Sequence, residues 1–141
     1  MIAAAPVMTV RPWDREKDYP LIREWFEGNG SLGPHQSHLP PLGIVVEDED
    51  GPLAAVGAYQ SVGVSVAFPE WLVTNPDTKP KKKLRAVIIA MRGLERMLVA
   101  QGYEFQRIAI IDDRIAALAK SQLGFHNLGP KVHYLMKNTS P

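Results

Sequence analysis

The feature that most constrains this sequence is a series of short apolar segments, closely spaced in the middle of the chain. Residues 43–47 and 54–60 flank a turn that ends in Asp50-Gly51, whose glycine supplies the positive φ that a tight hairpin needs. A third segment, residues 64–74, follows closely and contains Pro69, which cannot donate to a strand ladder. The spacing predicts three antiparallel strands in a meander, with a bulge or an unpaired edge at the proline.

A long amphipathic helix is predicted after the meander, over residues 84–101. Apolar residues recur at i, i+3 and i+4, charged residues fall on the other side, and Gly102 ends the pattern. The same periodicities predict strands at residues 7–13, 107–111 and 132–137, and helices at residues 14–28 and 114–123. This order predicts an α+β fold: a mixed, mostly antiparallel sheet flanked by helices.

Length and composition indicate a single folded domain. With 141 residues, of which 45% are hydrophobic and 22% charged, we predict one domain over residues 1–141, with residues 1–6 as a loose arm. The formal charge of +1 gives no overall field for gripping DNA or an anionic membrane. The absence of cysteine excludes disulfides, thiolate zinc sites and catalytic thiols, and no segment approaches the roughly 20 apolar residues of a membrane span. We therefore expect a cytoplasmic protein without a membrane partner.

A second feature is the proline-rich stretch at residues 31–42, which cannot form a regular helix or a central strand. Loops of this length are often functional. It contains His35 and His38, but with no third ligand in view we expect solvated loop histidines and no metal site.

Residues 70–76 read Glu-Trp-Leu-Val-Thr-Asn-Pro and precede a loop, the long helix, a strand, and a helix that ends in Leu123-Gly124-Phe125. In this order the sequence resembles the GCN5-related N-acetyltransferases (GNAT), over nearly the whole chain. The resemblance implies a GNAT-like acyl-CoA N-acyltransferase fold, with acetyl-CoA as co-substrate. It implies transfer of an acetyl group to a primary amine of a small molecule or a macromolecule, and leaves a homodimer open.

The resemblance assigns cofactor contacts to the strand and to the loop after it. In the family this strand splays from its neighbour and pairs with the pantetheine arm, a role that here falls to Leu72, Val73 and Thr74. The family's pyrophosphate loop, Gln/Arg-x-x-Gly-x-Gly/Ala, lies over residues 79–84, where Lys82 and Leu84 replace the small residues. The CoA phosphates would then be neutralised by positive side chains, those of Lys79, Lys81, Lys82, Lys83 and Arg85. Asp113 lies where the family often has an asparagine that contacts the cofactor.

Amine acetylation requires a base for the amine proton and an acid for the leaving thiolate. Glu70 lies where a family carboxylate often relays the amine proton, and burial beside Phe68 and Trp71 would raise its pKa as a base requires. Lys120 stands where the family frequently has the tyrosine acid, and a lysine there is either a proton donor to the thiolate or a surface residue.

Two other interpretations stay open. The lost glycines and the missing tyrosine fit a catalytically silent GNAT-fold protein that binds CoA or a protein partner. The basic run at residues 79–85 could instead make phosphate contacts with a nucleic acid. We do not expect a nucleic-acid partner, because no aromatic residues interleave the run and Pro80 breaks any continuous basic helix.

Overall fold

The computed structural model describes residues 7–110, 113–128 and 137 of the chain. It comprises two compact units, residues 1–108 and residues 109–141. The single domain over residues 1–141 therefore stays a prediction. The predicted arm at residues 1–6, and the predicted strand at residues 132–137 apart from Lys137, lie outside the described residues.

The first unit is built on a sheet whose strand order follows the sequence, β1-β2-β3-β4-β5. The first three pairings are antiparallel and the last, β4 with β5, is parallel. The strands are β1 Thr9–Pro12, β2 Leu42–Asp48, β3 Gly51–Gln60, β4 Val66–Thr74 and β5 Phe105–Gln106. The predicted α+β fold and its meander are thereby confirmed, and Gly51 closes the hairpin with a φ of 118°.

One face of the sheet is covered by α1, Arg15–Gly28. Asp14 caps this helix, because its Oδ1 accepts from the backbone N–H groups of Glu16 and Lys17 at 3.0 and 3.1 Å. The buried side chains of Ile22 and Trp25 pack in one cluster with Trp13, Leu39, Val45, Ala55 and Val73. This cluster positions the start and the end of α1 against the sheet.

Next to the cap, a buried carboxylate ties α1 to β1. The Asp18 side chain accepts from both terminal nitrogens of Arg11 at 2.9 Å and from the backbone N–H of Asp14 at 2.7 Å. These donors satisfy a carboxylate that is only 7% exposed.

The other face is covered by α2, Pro80–Ala100, which begins four residues before the predicted start at residue 84. The prediction of that boundary was wrong because three consecutive lysines carry no apolar periodicity. Pro80 suits the first helical position, where its missing N–H would have no helical partner. The end was predicted correctly: Gly102 has a φ of 89° and Tyr103 N donates to Leu98 O at 3.0 Å. No helix in the described residues is long and apolar enough to cross a bilayer.

A strand is predicted at residues 107–111, but residues 107–110 are not in a strand and residue 111 lies outside the described residues; the strand found here is β5, Phe105–Gln106. It pairs with Val66 and Ala67, and Arg107 N adds one hydrogen bond to Ala67 O at 2.9 Å. Two positions further along β4, Pro69 lacks the N–H that a longer ladder would need.

The second unit contains α3, Asp113–Gln122. It ends as the Gly-Phe pair predicts, because Gly124 adopts a φ of 76° and Phe125 N donates to Ala119 O at 3.1 Å.

Candidate active site

The site is centred on the part of β4 that β5 leaves unpaired. Because β5 reaches only Val66 and Ala67, it pairs with none of the backbone from Phe68 to Thr74. A strand edge without a partner strand among the described residues can accept an extended ligand as an added strand. Leu72 and Val73, to which the resemblance assigns pantetheine contacts, lie on this stretch.

The same stretch carries a bulge. Ala55 lies opposite Val73 and Gly57 opposite Glu70, so Trp71 and Leu72 together face the single intervening residue of β3. Trp71 has a φ of 62°, in the left-handed region that aromatic residues avoid. Such a conformation costs on the order of 1–3 kcal/mol and is kept only where the surroundings enforce it.

Glu70 lies opposite Gly57 and therefore leaves the sheet on the same face. That face is covered by the Trp13 indole, since a Cβ atom on Gly57 or Gly43 would lie 2.3 or 2.0 Å from the ring. Glu70 is half-buried, and desolvation raises the pKa of its carboxyl. No described cation pairs with it. A carboxyl of raised pKa on an open strand edge has the property that a general base needs.

An aromatic cluster surrounds the bulge. The indole Nε1 of Trp71 donates to the Tyr59 hydroxyl at 2.7 Å, and that hydroxyl donates to the carbonyl of His38 at 2.6 Å. The Phe26 ring meets the Trp71 ring edge to face, with centroids 6.0 Å apart. No local pattern singles out Tyr59, because its role depends on a residue twelve positions away.

The segment between α1 and β2 forms, at residues 31–41, a wall whose backbone is anchored by side chains from elsewhere in the chain. Its carbonyl groups are held by side chains outside it, in addition to the bond from Tyr59. Tyr19 donates to Pro34 O at 3.0 Å, Arg15 to Leu39 O at 3.2 Å and Trp13 to Pro40 O at 3.1 Å. The predicted long loop is present, and its one regular element is the short 3₁₀ helix Gln36–His38.

The two histidines of this loop take part in local contacts. His35 Nδ1 lies 2.8 Å from Ser37 Oγ and accepts from Ser37 N at 3.2 Å, while the two imidazole rings are 5.8 Å apart. In the described residues, no three His, Asp or Glu side chains form a group that could hold a metal ion.

The first turn of α2 follows β4 after residues 75–79 and leaves its backbone donors uncapped. Lys79 is the N-cap residue without a side-chain cap bond, and the turn has no acidic residue. The first helical hydrogen bond runs from Lys83 N to Lys79 O at 2.8 Å, so the N–H groups of Lys81 and Lys82 have no helical partner. The helix dipole and the flanking ammonium groups both favour an anion here.

The lysines of this turn differ in their surroundings. Lys79, Lys81 and Lys83 have no ion pair with any described residue. The ammonium of Lys82, in contrast, binds Asp48 and lies 3.6 Å from Asp50, both in the β2–β3 hairpin. Hydrogen bonding between them raises the pKa of Lys82 and lowers that of Asp48, so the hairpin already neutralises this ammonium.

Three other predicted cofactor contacts, Leu84, Arg85 and Thr74, have backbone groups that are already hydrogen-bonded within the protein. Leu84 and Arg85 are exposed on the second turn, where the backbone N–H groups are already used inside the helix. The carbonyl of Thr74 accepts from Asn29 Nδ2 at 2.9 Å, and the same amide donates to Trp25 O at 2.8 Å. Asn29 thus joins the end of α1 to the end of β4, whereas the sequence Gly28-Asn29-Gly30 indicates only a helix stop.

Two predicted residues lie in the second unit. Asp113 is the first residue of α3, and Lys120 is exposed in its last turn. Their assigned roles, cofactor contact and proton donor, stay predictions.

Comparison with known proteins was informative only at the level of structure. No protein-family model matches the sequence, and no curated protein matches it. Solved structures do: glucosamine-6-phosphate N-acetyltransferase from Arabidopsis thaliana has a TM-score of 0.64 at 10% identity, covering 93% of this chain and 99% of that one. An aminoglycoside N-acetyltransferase in complex with CoA has a TM-score of 0.66 at 12% identity, covering 98% and 100%.

A GNAT-family acetyltransferase from Streptococcus pneumoniae has a TM-score of 0.66 at 14% identity, covering 95% of this chain and 100% of that one. These identities are low, so the likeness concerns the fold. The chain has the fold of the GNAT acetyltransferases.

Proposed function

We propose that this GNAT-fold chain is an acetyl-CoA-dependent N-acetyltransferase that acts on a primary amine. The observation that carries the proposal is the succession of an unpaired, bulged strand edge and an uncapped basic helix start. The first suits an extended ligand with amide groups and the second suits a polyanion. Acetyl-CoA has both parts in one molecule, because its pantetheine arm carries amides and leads to a pyrophosphate.

Within this proposal the phosphates lie at the first turn of α2. The backbone N–H groups of Lys81 and Lys82 donate to them, and the ammonium groups of Lys79, Lys81 and Lys83 supply charge. Lys82 contributes its backbone, since its ammonium is held by the hairpin. Arg85 and Leu84 flank the site through their side chains, and Asp113 adds the cofactor contact that the family resemblance implies.

The pantetheine arm pairs with the free edge of β4 at Leu72 and Val73, with Thr74 at its end. This places the thioester near the bulge, next to Glu70. Holding the thioester and the amine in attack geometry supplies a large share of the rate in reactions of this kind.

The chemistry then follows from the carboxyl at the bulge. The amine nitrogen attacks the thioester carbonyl carbon, a C–N bond forms, and the C–S bond breaks as the intermediate collapses. Glu70 accepts the proton that the nitrogen loses, a role that its raised pKa suits. We assign to Lys120 the return of a proton to the departing thiolate, which yields CoA and the acetylated amine.

The test combines binding and turnover. Isothermal titration measures acetyl-CoA affinity for the wild type, for Lys81→Gln/Lys83→Gln, and for the matched control Arg92→Gln/Arg96→Gln, which removes two charges from exposed positions further along α2. We expect the lysine pair to weaken binding about tenfold or more, corresponding to about 1.4 kcal/mol, and the arginine pair to leave it within about twofold. Thiol release is then followed over a panel of primary amines.

Three results would contradict the proposal. Absence of acetyl-CoA binding would rule out acetyl-CoA as the co-substrate. Equal weakening by the lysine and the arginine double variants would show that the overall charge of α2, and not its first turn, attracts acetyl-CoA. Tight binding without turnover of any amine would identify a catalytically silent GNAT-fold protein.

A further inference from the structure

The bulge in β4 contains a local conflict between backbone and side chain. Trp71 adopts a φ of 62°, and it is the one non-glycine residue with positive φ in the described part of the chain. An aromatic residue does not stay in this conformation unaided, so the neighbouring structure has to enforce it. The contacts that do so also decide the direction of Glu70 and Leu72, which lie on either side of this residue.

The side chain of Trp71 is held from two directions. Its indole N–H donates to the Tyr59 hydroxyl at 2.7 Å, and its ring packs edge to face on Phe26. We call Tyr59, Trp71 and Phe26 the indole clamp. Tyr59 belongs to β3, the strand next to β4, and its partner in the ladder is Phe68, so the indole bond ties the bulge to a regular part of the ladder that precedes it.

The hydroxyl of Tyr59 is itself fixed. It donates to the carbonyl of His38 at 2.6 Å while it accepts from Trp71, so its single proton and one lone pair are both directed. Through this hydroxyl the wall at residues 31–41 and the bulge are connected.

We infer that Tyr59 is a positioning residue: through the indole of Trp71 it keeps the bulge in the strained conformation that directs Glu70 and the backbone of Leu72. The inference rests on the proposed function and deepens it. The strain of a left-handed aromatic residue is of the same order as one hydrogen bond, so loss of the Tyr59 hydroxyl releases an appreciable fraction of molecules from the strained state. In those molecules the peptide planes around Trp71 turn, and the Glu70 carboxyl moves away from the thioester.

The central experiment is a double-mutant cycle. Tyr59→Phe removes only the hydroxyl, and Trp71→Gly places at the bulge a residue that accepts positive φ without support. We expect Tyr59→Phe to lower kcat about five- to tenfold in the wild-type background, with acetyl-CoA affinity within about twofold. In the Trp71→Gly background the same change should alter kcat less than about 1.5-fold. Should Trp71→Gly fail to fold, Trp71→Asn takes its place, because asparagine tolerates the left-handed region.

The matched control is Tyr103→Phe. This change also deletes one tyrosine hydroxyl, which donates to Ser61 O at 2.9 Å. Ser61 follows the end of β3, where the ladder partner in β4 is Ala67 and not a residue of the bulge. It should leave kcat unchanged. An equal loss for Tyr103→Phe, or an equal effect of Tyr59→Phe in both backgrounds, would overturn the inference.

A readout without turnover separates this inference from the proposed function. In the amide NMR spectrum, Tyr59→Phe should shift the backbone signals of Glu70, Trp71 and Leu72, and Tyr103→Phe should leave them in place. These shifts are expected even if no amine is acetylated, in which case the proposed function fails and the clamp stands. Unchanged signals at the bulge in Tyr59→Phe would refute the clamp whatever the activity.

Discussion

Replacement of Glu70 by glutamine should change stability and activity in opposite directions. The variant keeps the size of the side chain and removes its charge. Desolvation raises the pKa of this half-buried carboxyl, so the ionised form is less favourable in the folded protein than in the unfolded chain. At neutral pH the wild type therefore carries a cost that Glu70→Gln removes.

The sign and size of the stability effect follow from linkage. An acid whose folded pKa is raised binds more protons in the folded state, so it destabilises the fold progressively as pH rises above the unfolded pKa of about 4.3. Because solvent reaches part of this carboxyl, the cost stays below about 1 kcal/mol. We expect Glu70→Gln to raise the free energy of unfolding at pH 7 by about 0.5 kcal/mol, and the difference to vanish as pH approaches 4.

The activity effect is larger and opposite. If Glu70 accepts the amine proton, kcat/KM of the wild type rises with pH as the carboxyl ionises, and Glu70→Gln lowers it about 10²- to 10⁴-fold while flattening that limb of the profile. Urea unfolding at pH 4 and 7 and thiol release between pH 5 and 9 measure the two effects, with Glu95→Gln on the exposed side of α2 as control. A variant that is less stable than the wild type at pH 7, or that keeps the wild-type pH profile of turnover, would refute the reasoning.

Two further predictions concern the framework of the site. Asp18→Ala removes the buried carboxylate that accepts two hydrogen bonds from Arg11, which keeps its contact with Glu47, and should lower the free energy of unfolding by about 1–3 kcal/mol at pH 7 in urea titrations. Because hydrogen bonding to Arg11 lowers the folded pKa of Asp18, its contribution should decline as pH falls towards that pKa, while Glu27→Ala on the exposed surface should cost under about 0.5 kcal/mol. Gly57→Ala forces Trp13 off its position and should cost about 1–3 kcal/mol, and an unchanged urea midpoint would mean that the indole is not packed on this glycine.

Local patterns were sufficient for the meander and for the bounds of α1. Short apolar segments indicate the strands and the Asp50-Gly51 turn indicates the hairpin, because both signals depend on only a few neighbouring residues. The start of α2 was misplaced because lysine side chains have no apolar face that reveals a helical period. The strand predicted at residues 107–111 was misplaced because its length depends on what β4 can offer as a partner, which only the folded sheet determines.

The site was predictable where it depends on chain order and unpredictable where it depends on tertiary contacts. Glu70 was singled out by the family resemblance of residues 70–76, and its partial burial and raised pKa agree with the expectation, while its role as base stays a proposal. Pro69 marked an irregular strand, but the strained residue is Trp71, a type that avoids positive φ in isolation. The ion pair that binds the Lys82 ammonium comes from a hairpin far away in sequence, so no local pattern signals it.

Residues 31–41 are anchored at their backbone carbonyls and at a few buried side chains. Each of the outside anchors holds a backbone carbonyl, and the buried side chains of Pro34, Leu39 and Pro40 add packing, so the path of the segment depends little on its exposed side chains. Leu32, for example, is 95% exposed. Under the proposed function, substitutions at the exposed positions of this wall would change the surface offered to the acceptor while leaving the scaffold beneath it in place, a freedom that Glu70 and the bulge do not share.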